Sequence, residues 1–143
     1  MVGETATGSY YEVEPSILVH LCKPGVTDDG VSARQNIEFQ ISRFRSIGIK
    51  GAVIMDIEPI TGQTAEARDI YTSASNEHLV ATSLVGVSML ARAIGNFFIG
   101  MRKPFVALRM HTTVDEGIDW ARRIVAEAMA EISSDDHCGD RPS

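Results

Sequence analysis

Short apolar runs rich in β-formers alternate along this chain with longer segments whose apolar positions recur at helical spacing. Residues 16–22 read as a strand, with Leu18, His20 and Cys22 on one face and Ile17, Val19 and Leu21 on the other; Lys23-Pro24-Gly25 ends it. Asp28 or Asp29 then caps a helix to about Ser46, striped by Ala33, Ile37, Ile41 and Phe44 and stopped by Gly48. The almost wholly apolar run 52–57, broken only by Asp56, suits a central strand covered on both faces. Thr64 caps a short helix with Ala67, Ile70, Tyr71 and Ala74 on one face, and residues 78–87 form the next strand. Ser88 caps a third helix to Met101, with Leu90, Ile94, Phe97 and Met101 as its stripe, Arg102 and Lys103 at its negative end and Pro104 as its stop. Residues 105–110 are the last strand. Thr113 and Glu116 have capping-box spacing for a final helix striped by Ile118, Ala121, Val125, Met129 and Ile132.

Ahead of these elements, residues 1–15 read as a flexible polar lead with at most a short strand at 10–14, and 133–143 as a disordered polar tail. The order β, β, α, β, α, β, α, β, α requires crossover helices over a mixed, largely parallel sheet. The expected architecture is a single α/β sandwich over 16–132, with about five strands and four crossover helices.

Composition fits that reading: 143 residues, 44% hydrophobic and 22% charged, make one domain whose core needs no disulfide or structural metal. The net charge of −6 has the wrong sign for a dedicated nucleic-acid binder. Charge is unevenly spread, however: residues 78–114 hold Arg92, Arg102, Lys103 and Arg109 and no acid, between acidic flanks. Two cysteines, Cys22 and Cys138, without CxxC spacing point to a reducing compartment. No apolar run approaches a membrane span and the N-terminus lacks a signal-peptide core, so the expected location is the cytoplasm.

The element order, the segment Val53-Ile54-Met55-Asp56-Ile57 and the run from Ala93 to Pro104, with Ile94-Gly95-Asn96-Phe97-Phe98 at its centre, resemble the bacterial STAS/CRAL-TRIO-like proteins. These small domains are related in fold to the anti-sigma-factor antagonists, and most have no assigned activity. The resemblance spans roughly 16–132 and implies a STAS-like α/β sandwich. Antagonist-type members carry a phosphorylatable serine at the start of the helix after the central strand. The corresponding stretch here is Thr64-Ala65-Glu66-Ala67, which has no serine and an acid that would repel added phosphate, so that switch does not carry over. Thr64 is a substitute phosphoacceptor candidate as well as a plain helix cap.

Chemistry-bearing positions are few. Arg92, Asn96, Arg102 and Lys103 form a candidate surface for an anion or an acidic partner, or else a solvated helix end. Met89, Phe98 and Ile99 fall off the principal stripe beside Phe97, so this helix offers an apolar interface or pocket wall unless the monomer buries a broad face. His20 and Cys22 share a strand face, but two ligands without HExxH or CxxC make no metal site, and His137-Cys138 lies in the tail. Asp56 and Glu58 are an acid/base pair only on paper, since solvated loop carboxylates explain them equally. No GxSxG, GxxxxGK or GxGxxG is present, so no catalytic residue, cofactor or metal is assigned. The leading expectation is a non-enzymatic STAS-like module that binds itself as a homodimer, or another protein, through the helix 88–104. The alternative is a carrier or sensor of a small apolar or amphipathic anionic ligand, and an enzyme would need a cleft joining Asp56, Thr64 and Asn96.

Overall fold

The computed structural model describes residues 1–74, 77–101 and 106–139, with side chains as far as Glu131. Its strands are β1 (Gly3–Thr5), β2 (Gly8–Glu14), β3 (Ile17–Cys22), β4 (Thr27–Asp28), β5 (Gly51–Asp56), β6 (Gly62–Gln63), β7 (Leu79–Val85) and β8 (Ala107–His111). Its helices are α1 (Gly30–Ile47), α2 (Ala65–Ser73), α3 (Met89–Met101) and α4 (Val114–Gly139). Six strands make one sheet in the order β1-β2-β3-β5-β7-β8, antiparallel through β3 and parallel from β3 to β8. β4 and β6 form a separate two-stranded parallel pair.

The mixed sheet and four helices match the expected α/β class, with six strands where about five were expected. Alternation along β5 explains the layering. Val53 and Met55 join a core with Leu18 and Leu84 of the sheet, Phe44 of α1 and Ile94 of α3, while Ala52 and Ile54 join Ile17 and Val19 of the sheet and Trp120 and Ala121 of α4.

Local signals fix the helix starts. Asp29 and Ser32 close a reciprocal capping box on α1, whose end turns at Gly48 with φ 69°. Thr64 Oγ1 accepts from Ala67 N at 3.1 Å, and Ser88 Oγ from Ala91 N at 3.1 Å.

Three expectations are corrected. Residues 1–15 are no flexible lead: β1 and β2 extend the sheet by an antiparallel hairpin, and Tyr10, Thr5 and Thr7 are buried. The acids of this segment pair with distant bases, Glu4 with Lys23, Glu12 with Arg43 and Glu14 with Arg122, so their polarity is compatible with a strand. Second, the buried stripes are rotated. On α1 it runs through Ala33, Asn36, Gln40 and Phe44, and on α3 through Ala91, Ile94 and Gly95, with Phe98 half-buried behind them. Small residues win on α3 because they let the helix approach β8, where Gly95 faces Met110. Third, α4 continues to Gly139, into the segment expected as a tail, because nothing between Ser133 and Cys138 is a strong helix breaker.

Candidate functional site

A cavity of about 90 Å³ lies between the sheet and the three helices on one of its faces. Its floor is Met55 of β5, Thr82 and Leu84 of β7 and Leu108 of β8. Ile37 and Gln40 of α1, Tyr71 of α2, and Ile94, Phe98 and Met101 of α3 wall it. α2 is only nine residues long, and it meets α3 where Tyr71 contacts Phe98 edge to face at 5.8 Å between centroids. The interior is thus mainly apolar, with polar groups gathered at one corner by Asp28 and Gln63.

The β4–β6 pair builds that corner, because its register sets Asp28 directly opposite Gln63. Asp28 is 5% exposed. Its Oδ1 accepts from Ser32 Oγ at 2.6 Å and its Oδ2 from Gln63 Nε2 at 3.1 Å, and it is hydrogen-bonded to the Tyr71 hydroxyl. All three partners are neutral, and no Lys or Arg lies within ion-pair distance of Asp28 among the described residues. Gln63 must turn its amide nitrogen toward the carboxylate, since the reverse would set oxygen against oxygen. Its buried Oε1 then meets no donor among the described residues. Burial, and secondarily the charge of Asp28, holds the Tyr71 hydroxyl well above its ordinary pKa.

A polar network runs from this corner into the N-terminal hairpin. Asn36 Nδ2 donates to Tyr71 and to Thr7, each at 3.0 Å, and Asn36 Oδ1 accepts from Thr5 at 2.7 Å and Tyr10 at 3.1 Å. Gln40 donates to the Tyr10 hydroxyl at 2.8 Å, and Thr7 Oγ1 lies 3.0 Å from His20 Nε2. Burial lowers the His20 pKa to about 4, with the Ser9 backbone acting weakly in the other direction. Burial also pushes the Cys22 thiol up to about 12, helped by the Asp28 and Asp56 charges.

The residues singled out from sequence distribute differently. Arg92 and Asn96 are exposed on α3 and do not line the cavity; Arg102 and Lys103 lie outside the described residues. Met89, Phe97 and Ile99 are exposed, Met89 at 90%, whereas Phe98 turns inward against the core and the cavity. Phe97 carries Arg68 over its ring at 5.3 Å. The Asp56 carboxylate accepts from Glu58 N, and Glu58 Oε2 accepts from Val87 N at 2.5 Å and Ser88 N at 3.2 Å. Those backbone donors, Val87 first, hold the Glu58 carboxyl below its usual range and make it an anchor for the start of α3. None of Asp56, Thr64 and Asn96 lines this cavity. His20 and Cys22 lie in no group of three or more metal-binding side chains among the described residues.

Sequence reasoning missed the corner residues Asp28, Gln63, Gln40 and Tyr71 as a group. The available signal was on α1, where Asn36 and Gln40 lie at helical spacing between Ala33 and Phe44, so that polar side chains occupy an inward face. It also missed the pair Ser83 Oγ and His111 Nδ1, 2.6 Å apart. Ser83 is fully buried beneath Gly117 of α4, so this pair satisfies core polar groups and presents no nucleophile to solvent.

The model of the DUF7793 family, a domain of unknown function, matches residues 11–125. Among solved structures, an uncharacterised protein of the DUF3478 family with a SpoIIAA-like fold, from Shewanella loihica PV-4, is similar with a TM-score of 0.55. The sequences are 14% identical, and the likeness covers 85% of this chain and 99% of that one, which shows a shared fold. No curated protein matches. No helix among the described residues is long and apolar enough to cross a membrane.

Proposed function

The chain belongs to the DUF7793 family, and from that premise we propose that it is a STAS-like regulatory module that works by binding, associating with a second copy of itself through the outer face of α3. The observation that carries this reading is the exposure of apolar side chains on that one helix. Met89, Leu90, Phe97, Ile99 and Met101 all face solvent there, and Val87 joins them just ahead of the helix. Leu90, Phe97 and Met101 recur at i, i+7 and i+11 on one flank of the helix, and exposed apolar side chains grouped in this way mark interaction sites in single domains. Arg92 and Asn96, also exposed, supply a polar rim and a positive charge for orientation. Kinship with the bacterial STAS and CRAL-TRIO-like proteins and action in the cytoplasm belong to the same proposal.

Sedimentation velocity on the full chain tests it. The wild type is expected to sediment as a dimer at tens of micromolar, and a Met89→Glu/Phe97→Ser double variant as a monomer with unchanged circular dichroism. A dimer indifferent to both substitutions would remove α3 from the interface. A wild-type monomer would hand the face to a different protein.

A second reading, a sensor of a small molecule, is supported by the cavity under α3. The polarity of its corner opposes the anionic ligand expected from sequence, because Asp28 is the one charged side chain among the described residues that line it.

A further inference from the structure

The corner built by β4 and β6 has an unusual electrostatic composition. Buried carboxylates are ordinarily matched by a cation or a metal, because taking a charge out of water is costly unless it is paired. Asp28 is buried, borders an apolar cavity, and among the described residues is held by the neutral groups of Ser32, Gln63 and Tyr71 alone. Beside it, Gln63 Oε1 is a buried acceptor that meets no donor among the described residues. Among the described residues the corner therefore has acceptor capacity and negative charge in excess, while most of the remaining wall is apolar, with Thr72 and Thr82 as neutral hydroxyls. A ligand that completes it must bring hydrogen-bond donors and positive charge at one end and an apolar body at the other.

We infer that the cavity binds a small amphipathic amine, its ammonium group paired with Asp28 and donating to Gln63, its hydrocarbon body lying against Leu84, Leu108 and Phe98. The ammonium group fits both vacancies at once: its charge complements the carboxylate, and its three donors can be shared between the carboxylate and the amide oxygen. A carboxylate head meets like charge at the same corner, and an alcohol supplies a donor without the charge. The volume of about 90 Å³ limits the body to a few carbons, since it is smaller than the roughly 150 Å³ apolar cavity that takes up benzene. Apart from Met101, which reaches both, this site is separate from the outer face of α3, and neither Met89 nor Phe97 lines it, so the oligomeric state and ligand binding can succeed or fail independently.

The test is a titration of the full-length protein with n-butylamine, n-butanol and butyrate, three probes with similar bodies and different heads. Binding is followed by methyl chemical shifts of Leu84, Leu108 and Ile94 at neutral pH and fixed ionic strength. Butylamine is expected to bind at least ten-fold more tightly than butanol, and butyrate not to shift these methyls. Gln63→Met should weaken butylamine about five-fold, and Leu108→Phe, which fills the cavity without touching the corner, should abolish binding of every probe. Equal affinities for the three probes would reduce the site to an unselective apolar void and overturn the inference. A preference for butyrate, or the absence of shifts at these methyls with any probe, would overturn it as well. Folding of each variant is checked first by the fluorescence of Trp120, the single tryptophan, which α4 packs against the opposite face of the sheet.

Discussion

The Tyr10 hydroxyl donates a 3.1 Å hydrogen bond to Oδ1 of Asn36, across 26 residues of chain. That bond ties β2 to α1 and places Asn36 at the junction of Thr5, Thr7, Tyr10 and Tyr71, all of which it engages. Replacing Asn36 by Leu removes four hydrogen bonds at once, taking the acceptor from the Thr5 and Tyr10 hydroxyls and a donor from Thr7 and Tyr71, in a buried site. The expected loss of stability is about 3 kcal/mol, since a buried group left unsatisfied costs roughly 1–3 kcal/mol. Urea unfolding followed at Trp120 measures it. A loss below about 0.5 kcal/mol would mean that the network relaxes or takes in water.

His20 gives the fold a pH dependence of definite sign. Its pKa is about 4 in the folded protein against an ordinary 6.5, so the unfolded chain binds more protons between these values. Stability is therefore fully present above about pH 6.5 and declines as pH falls toward 4, by on the order of 3 kcal/mol for a shift of this size. Urea midpoints at pH 7 and pH 4.5 should separate accordingly, and His20→Gln should narrow the gap. An unchanged gap in the variant would assign the acid sensitivity to other groups.

Gly117 sets the distance between α4 and the sheet. A Cβ built there lies 2.7 Å from Ser83 Oγ and 3.1 Å from Ile54 Cγ2. Gly117→Val must either lift the helix or displace the Ser83–His111 hydrogen bond, and overpacking of this kind costs about 1–3 kcal/mol. The thermal midpoint should fall even though valine is the better helix former. A stabilised variant would show that helix propensity outweighs the contact.

Thr64 tests cap against switch. Its hydroxyl accepts from Ala67 N, so Thr64→Ala should cost about 1 kcal/mol while Thr64→Asp, which can still cap, should cost little. If Thr64 acts as a phosphoacceptor instead, Thr64→Asp should alter the association state without altering stability.

Glu58 offers a related measurement on α3. Its carboxylate accepts from Val87 N and Ser88 N, and its pKa is depressed, so its contribution is present above the ordinary carboxyl value and is lost as pH falls through the folded one. Amide exchange at Val87 and Ser88 should quicken in Glu58→Gln at neutral pH relative to the wild type. Equal protection in both would mean that the charge of Glu58 does not hold the helix start.

The sequence by itself determined the alternation of strands and helices, the two-faced β3 and β5, and the caps at Thr64 and Ser88, and narrowed the α1 cap to Asp28 or Asp29, of which the structure uses Asp29. These features are local: a strand face repeats every two residues, and a cap needs a partner three residues away. The tertiary structure alone decided that residues 3–14 join the sheet, because their buried hydroxyls find Asn36 and His20 at distant positions. It also decided which face of α3 turns inward. Side-chain size ranks Phe97 and Leu90 as core, but close packing selects Gly95 against Met110 of β8 and Ala91 against Gly86 after β7, and the apolar surface so displaced is left to the solvent. The corner at Asp28 and Gln63 exists for the same reason: two residues 35 apart become neighbours only when β4 and β6 pair, and no local rule of spacing specifies that pairing.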